Sequence, residues 1–421
     1  MRIPPASPAS VRFEPVGEPR ASIVVLGWKS APCLIDCLRS IKENVVGVAY
    51  EVIVALNAPT DQLLHDLAEG VGGAVVVRSE INRGFSGGCN MGVAHSKAEF
   101  VVLLNDDTEV LPGWLESLVD TADAYPGAGA VGGMVLNPDG SLQEAGAILW
   151  NDGRTAAPGG AVLPSDLSVL DTVRRVDYCG GEALLVRRAT WEAVGGLSDD
   201  FYPAYYEDVD LCLKIAARGE EVLYQPAAKV CHRRGHSTET RFRGFILERS
   251  RRLFVERWSD ALLLRMEDSP LDSDVVLAAI NLAAQPLPEP MPVAEPSSIT
   301  EPTPDHDAVP ESEWLRRERS LNSEYVATLE QGLQDVETHV GRLTAANAAQ
   351  ETELVLRAAR LDEARADIGV VRDELLRCRS HLSLVENRAS YRLLDRLVRA
   401  AQRFPRLSEL AARLLRAVAP R

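Results

Sequence analysis

Phe100-Val101-Val102-Leu103-Leu104 is a run of five apolar, mostly branched side chains that ends abruptly in Asn105-Asp106-Asp107-Thr108-Glu109. A run that short and that uniformly apolar reads as a strand buried on both faces, the kind found inside a parallel sheet. In open α/β sheets ligands gather at the carboxyl ends of the strands, so two adjacent carboxylates there mark a meeting place for a cation and a phosphorylated ligand. Hard oxygen donors suit Mg²⁺ or Mn²⁺, which keep coordination positions for phosphate oxygens. An Asp-Asp pair alone is more simply a solvated turn after a strand; its neighbours decide between the two.

Those neighbours alternate regularly. Ser22-Ile23-Val24-Val25-Leu26 reads as a buried strand. Residues 32–44 read as a helix, with Leu34, Ile35, Leu38 and Ile41 at helical spacing. Glu51-Val52-Ile53-Val54-Ala55-Leu56 reads as a second strand, 62–69 as a second helix and 74–78 as a third strand. Strand, helix, strand, helix, strand is the grammar of a doubly wound parallel sheet. Next comes Asn82-Arg83-Gly84-Phe85-Ser86-Gly87-Gly88-Cys89-Asn90. Its glycines allow close approach to a ligand, and the amides at the following helix start suit a phosphate. No Lys-Ser/Thr pair follows Gly87-Gly88, so this is not a P-loop.

The stretches SIVVL, EVIVALNAPTD, NRGFSGGCNMGV, FVVLLNDDTEVLPGWL, GSLQEAGAILWNDG, YCGGEALLVRRATWEAVGGLSDDF and YYEDVDLCLKIAARG, in this order across residues 21–263, resemble family-2 glycosyltransferases. That family has the GT-A nucleotide-diphospho-sugar-binding fold, and the likeness is strongest to its rhamnosyltransferase and galactofuranosyltransferase branch. The resemblance implies transfer of a sugar from a nucleotide-sugar donor to a cell-surface glycan or lipid-linked acceptor. It implies donor binding by Asn57, Asp61, Arg83, Gly84, Gly87, Asn90 and Asp106, and Mg²⁺ or Mn²⁺ held by Asp107 with His232. It also makes Asp208 the general base, with Glu207 second. One base without a carboxylate nucleophile implies a single displacement with inversion. Two positions depart from the family's pattern. Leu56 stands where an Asp usually ends the second strand, and Gly27-Trp28-Lys29 replaces a Thr-Tyr-Asn-like triplet. Both bear on recognition of the nucleotide base.

Read from the residues alone, Tyr205-Tyr206-Glu207-Asp208-Val209-Asp210 is an acid-rich helix start, where the macrodipole favours negative charge. A lone His232 after a strand is more often structural than a ligand. Arg233 and Arg234 read equally as diphosphate contacts or solvated charges, and His236 as a surface residue. Trp150, near Asp152, and Trp191 read equally as sugar-stacking platforms and as core. Asp177-Tyr178-Cys179-Gly180-Gly181-Glu182-Ala183 resembles the family's acceptor-side loop.

At 421 residues the chain exceeds one ordinary domain. Residues 1–20, rich in Pro and Ser, read as a disordered N-terminus rather than a signal peptide. The GT-A domain is expected over 21–284, a Pro-rich linker over 285–312 and a coiled coil over 313–386. Leu333, Val340, Asn347, Leu354, Leu361, Ile368, Leu375 and Leu382 recur every seven residues there, and Asn347 in the seam favours a homodimer. The alternative is an amphipathic helix folding back on the first domain. Residues 387–421 alternate leucines with arginines and read as a basic amphipathic tail contacting a membrane surface, or as a docking helix. The net charge of −16 argues against a nucleic-acid partner. Seven scattered cysteines without a CxxC pair read as reduced residues of a cytoplasmic protein, at the inner face of the membrane if the tail binds it. The competing class is a catalytically inactive GT-A domain serving as a coiled-coil scaffold.

Overall fold

The computed structural model describes residues 11–28, 31–158, 170–233, 240–263, 265, 310–347 and 354–385. Lys29, Arg234, His236, most of the Pro-rich linker and the basic tail from Asn387 lie outside the described residues. Contacts divide the chain into two units, Met1–Gly235 with Ile246–Glu311, and His236–Phe245 with Ser312–Arg421.

The first unit begins with β1 (Val11–Arg12), β2 (Ala21–Gly27), α1 (Ala31–Asn44), β3 (Tyr50–Asn57), α2 (Asp61–Gly70), β4 (Val71–Gly72), β5 (Val75–Ser79) and α3 (Gly84–Val93). It continues through β6 (Phe100–Asn105), β7 (Thr108–Val110), α4 (Trp114–Ala124), β8 (Ala128–Leu136), β9 (Leu142–Glu144), β10 (Ile148–Leu149) and β11 (Thr155–Ala156). Then come β12 (Arg174–Arg175), β13 (Ala183–Arg187), α5 (Arg188–Val194), α6 (Glu207–Ala217), β14 (Glu221–His232), α7 (Thr240–Arg257), which belongs to this unit from Ile246 onwards, and α8 (Ser259–Leu262). The main sheet runs β12-β14-β8-β13-β6-β2-β3-β5, with β7 on β14 and β9 on β8. β6, β2, β3 and β5 are mutually parallel, whereas β13 lies antiparallel between β6 and β8. This is the doubly wound α/β arrangement expected of a GT-A domain, extended by a mixed half.

Alternation along the strands explains why the apolar runs are continuous. Ile23, Val25, Val102 and Leu104 face a layer built by Leu34 and Leu38 of α1 with Trp114 and Leu118 of α4. Val24, Leu26, Val101 and Leu103 face Met91, Leu211, Ile215 and Phe254 on the other side. Both faces are therefore dry. Order also begins earlier than composition suggests. Val11 and Phe13 are buried, β1 pairs in parallel with β4, and the Phe13 amide donates to Gly72 O at 2.9 Å. Residues 11–20 therefore belong to the first unit, because two apolar side chains there find a core.

β14 is the longest strand of the sheet, and it is irregular. Its pairing with β8 shifts between Gln225 and Lys229, around Pro226, which has no amide to give a ladder. Past the shift, Lys229, Val230 and Cys231 pair with Met134, Val135 and Leu136, while Val230, Cys231 and His232 pair antiparallel with Val110, Glu109 and Thr108. Gly133 stands opposite the shift, where a β-carbon would collide with the Ala228 carbonyl.

In the second unit, the stretch read as one coiled coil forms two helices, α9 (Glu311–Asn347) and α10 (Leu354–Val385). Arg372 pairs with Glu337 at 2.9 Å, and Arg379 pairs with Glu330, so the helices run antiparallel. The heptad row is shared by these two helices, with Asn347 the last residue of α9 and Leu354 the first of α10. Phe242 and Phe245 pack their rings 5.0 and 5.1 Å from Tyr325 within this unit. Among the described residues no helix is long and apolar enough to cross a membrane.

Gly133→Ala should cost about 1–3 kcal/mol by overpacking, read as a lower urea midpoint; an unchanged midpoint would mean that the β8–β14 contact yields freely.

Candidate active site

β2 and β6 lie side by side and parallel, so Trp28 and Asp106 follow them out at the same end of the sheet. The Trp28 amide donates to Asp106 Oδ2 at 2.8 Å. Burial pushes the Asp106 carboxyl up to about 7, with a further push from Asp107 against the pull of the Trp28 amide.

Asp107 lies one residue before β7, and His232 pairs with Thr108 of that strand. The register thus brings His232 Nε2 to 3.1 Å from Asp107 Oδ1, with both side chains mostly shielded from solvent. The Arg233 amide donates to Asp107 O at 3.0 Å and closes the turn. One carboxylate oxygen and one imidazole nitrogen at this separation fit a single Mg²⁺ or Mn²⁺ as a two-donor site. Among the described residues no cluster of three or more His, Cys, Asp or Glu suits a metal, so remaining positions would fall to ligand oxygens or water.

The acidic side is tied to the same strand ends. Ala183 of β13 pairs with Leu104, and the Asn105 amide donates to Glu182 O at 3.1 Å. The Gly181 amide in turn donates to Asp208 Oδ2 at 3.1 Å. Lost solvation and Glu144 raise Glu182 to about 8, with Asp208 adding to the push and His232 pulling back. Through the Asn105 and Gly181 amide contacts the start of α6 is tied to the strand end that carries Asp106 and Asp107.

Asp208 enters α6 under strain. Tyr205 and Tyr206 both hold left-handed backbone, φ 74° and 71°, which costs non-glycine residues roughly 1–3 kcal/mol each. The Tyr206 ring 5.2 Å from Phe254 and its hydroxyl donating to Gly153 O at 2.8 Å hold that turn. Asp208 Oδ1 accepts the Val209 amide at 2.8 Å. Burial raises the Asp208 carboxyl, opposed by the amides of Gly181 and Val209. Glu207 is buried with Oε2 lacking a partner, and burial followed by Asp208 raises it well above the carboxylate range. Asp210 is fully buried, 3.0 Å from Arg257, 2.9 Å from the Trp258 indole nitrogen and 3.1 Å from Lys214, and so bolts α6 to α7.

At the start of the glycine-rich stretch three amides, that of Gly84 among them, are taken up by the protein itself. The Arg83 amide donates to Asn57 Oδ1, the Gly84 amide to Asn82 Oδ1 and the Phe85 amide to Pro203 O, at 2.7, 2.9 and 2.7 Å. Glycines are used here for close packing: β-carbons at Gly88 and Gly92 would collide with Leu26 and Val24 of β2. The Asn57 amide nitrogen donates to Asn82 Oδ1 and Gly84 O and clamps this loop. Asn90 is spent on both backbone groups of Leu197. Asp61 is exposed at the start of α2, whose cap is Thr60, and Arg83 donates from Nε to Ser79 Oγ. Trp150 and Trp191 are buried, so core packing explains both. Arg233 pairs with Glu109 and, at 3.4 Å, with Asp36. Leu56 is fully buried on the α1 side of the sheet. Gln143 and Glu144 reach the site without having been singled out, and Glu182 was named only as part of the acceptor-side loop; their signal was their place in GSLQE and CGGE.

Residues 22–192 match the family described as Glycosyl transferase family 2. The chain is 34% identical over 157 residues to the N-acetylglucosaminyl-diphospho-decaprenol L-rhamnosyltransferase of Mycobacterium tuberculosis, covering 33% of this chain and 48% of that one. It is 27% identical over 233 residues to the O-antigen biosynthesis protein RfbC of Myxococcus xanthus, covering 53% of this chain and 18% of that one. The chain thus spans about half or less of the length of these relatives. The structure of GalNAc-T7 with UDP, GalNAc and Mn²⁺ is similar at a TM-score of 0.46 and 16% identity, covering 58% of this chain and 49% of that one.

Two acids two residues apart should separate by role. Asp210→Ala strands Arg257 and Lys214 and should cost about 3 kcal/mol, read by thermal and urea unfolding. Asp208→Asn should leave stability within about 0.5 kcal/mol of the parent; equal losses for both would deny Asp210 its bolting role.

Proposed function

With a Glycosyl transferase family 2 domain over residues 22–192 as the premise, we propose that this chain is an inverting glycosyltransferase. It moves a hexose or deoxyhexose from a nucleotide-diphospho-sugar to a hydroxyl of a surface glycan or lipid-linked glycan. The observation that carries this reading is a run of backbone contacts: the Gly181 amide donates to Asp208 Oδ2 at 3.1 Å, and the carbonyl of the next residue, Glu182, accepts at 3.1 Å from the amide of Asn105, which leads directly into Asp106 and Asp107. This run supports a donor end and an acceptor end that share one space. Likeness to an L-rhamnosyltransferase favours a 6-deoxyhexose among donors.

Asp107 and His232 would hold a divalent cation, which supplies Lewis-acid neutralisation of the leaving diphosphate when bound. Asp106, fixed by the Trp28 amide, orients donor oxygens at the same strand end. Asp208 takes the proton from the acceptor hydroxyl as it attacks the anomeric carbon, and the nucleotide diphosphate leaves from the opposite face. The choice of Asp208 over its neighbours follows from electrostatics. Burial raises Glu182 to about 8 and Glu207 well above the ordinary carboxylate range, which disfavours the anion that a base or nucleophile needs. Asp208 keeps two backbone amides that favour its anion.

A panel of nucleotide-diphospho-sugars assayed with Mn²⁺ for release of nucleoside diphosphate tests the reading. Asp208→Asn should lower kcat by about 10²–10⁴-fold and leave donor binding intact. The base must be ionised, and burial raises Asp208, so the acid limb of kcat should lie above the usual aspartate range, activity falling as pH drops through it. Parent-like turnover by Asp208→Asn refutes the assignment.

A further inference from the structure

Gln143 is 5% exposed and lies on β9, which pairs with β8 through Val135 opposite Glu144 and Leu136 opposite Leu142. Its Nε2 lies 3.4 Å from His232 Nδ1, while its Oε1 is buried without a hydrogen-bond partner. Across the same ring, His232 Nε2 lies 3.1 Å from Asp107 Oδ1. A neutral imidazole has one N–H and one lone pair, so these two contacts are not independent. With the Gln143 amide nitrogen towards the ring, Nδ1 accepts and Nε2 keeps the proton, donating it to Asp107. That tautomer has no lone pair to offer a cation.

A half-turn of the Gln143 amide reverses this. Oε1 then accepts from Nδ1–H, Nε2 presents its lone pair beside Asp107, and the buried oxygen gains the donor it lacks. One proton leaves Nε2 and one is taken up at Nδ1 through solvent, so the ring stays neutral. An amide suits this place because it carries donor and acceptor on one carbon and no charge to compete for the cation. Partners on the far nitrogen of a metal-binding histidine orient the ring and fix its tautomer.

We propose that Gln143 is a positioning residue whose amide turns to set the His232 tautomer, Nε2–H without a cation and Nδ1–H with one. The inference rests on the metal-dependent reading above and adds to it the group that prepares the ligand.

Full-length protein labelled with ¹⁵N-histidine is titrated with Mg²⁺ at pH 7.5, the His232 signal being the one of seven lost in His232→Asn. Its ring should pass from the Nε2–H to the Nδ1–H pattern as the site fills. Affinity for Mn²⁺ alone is measured in parallel by water-proton relaxation, and Gln143→Leu should weaken it by about 10–100-fold with little change in melting temperature. If His232 keeps Nε2–H in the parent at saturating Mg²⁺, the proposal falls whether or not the variant folds. Parent-like Mn²⁺ affinity in a folded Gln143→Leu also overturns it, while leaving the metal site standing. Parent protein whose Mn²⁺ binding is absent, or survives His232→Asn, overturns the metal reading and this inference together.

Discussion

Backbone pairing of residues 230–232 with Thr108–Val110 carries His232 to the side of Asp107, and everything proposed for the donor end depends on it. The pairing is not a simple continuation of β14. It requires the irregularity around Pro226, and a glycine at 133 to let the Ala228 carbonyl come close. The strand thereby serves β8 along most of its length and β7 at its tip. Two side chains far apart in the sequence, Asp107 and His232, are brought together by backbone hydrogen bonds, which do not depend on what the side chains bind.

Burial sorts the carboxylates that this framework collects. Asp210, paired with Arg257, Lys214 and Trp258, is spent on holding α6. Glu207 and Glu182 lose water without gaining a cation and rise. Asp106 rises to about 7 although the Trp28 amide opposes it. Asp208, given two amides and a partly open position, is the acid best suited to act as a base. The left-handed Tyr205 and Tyr206 ahead of it are the kind of strain that persists only where surrounding contacts enforce it.

The parallel half of the sheet was legible because both faces are dry, so each strand is a short apolar run with a helix after it. The pairing of Asp107 with His232 and the acid-rich start of α6 came from motifs and matched positions now close in space. The structural use of the glycine-rich loop was not legible, because glycine permits close approach of any neighbour, and at Gly88 and Gly92 the neighbour is β2. The bonds of Asn57 and Asn90 to the loop and to Leu197 were not legible either, because an amide is equally able to hold a loop or a ligand. Glu182, named only as part of the acceptor-side loop, had no separate role in the sequence because only the antiparallel insertion of β13 beside β6 brings it to the strand ends. A seven-residue repeat marks apolar faces without saying which of them meet, and the described helices α9 and α10 meet antiparallel through Arg372–Glu337 and Arg379–Glu330.

The account makes Asp107 and His232 joint ligands of one divalent ion. The most direct measurement is anomalous diffraction at the manganese edge from crystals of the full chain grown with Mn²⁺ and a nucleoside diphosphate. The account predicts one strong peak about 2.1–2.2 Å from both Asp107 Oδ and His232 Nε2, with diphosphate oxygens completing the shell. A manganese peak bound elsewhere, with Asp107 and His232 still hydrogen-bonded to each other, would contradict it.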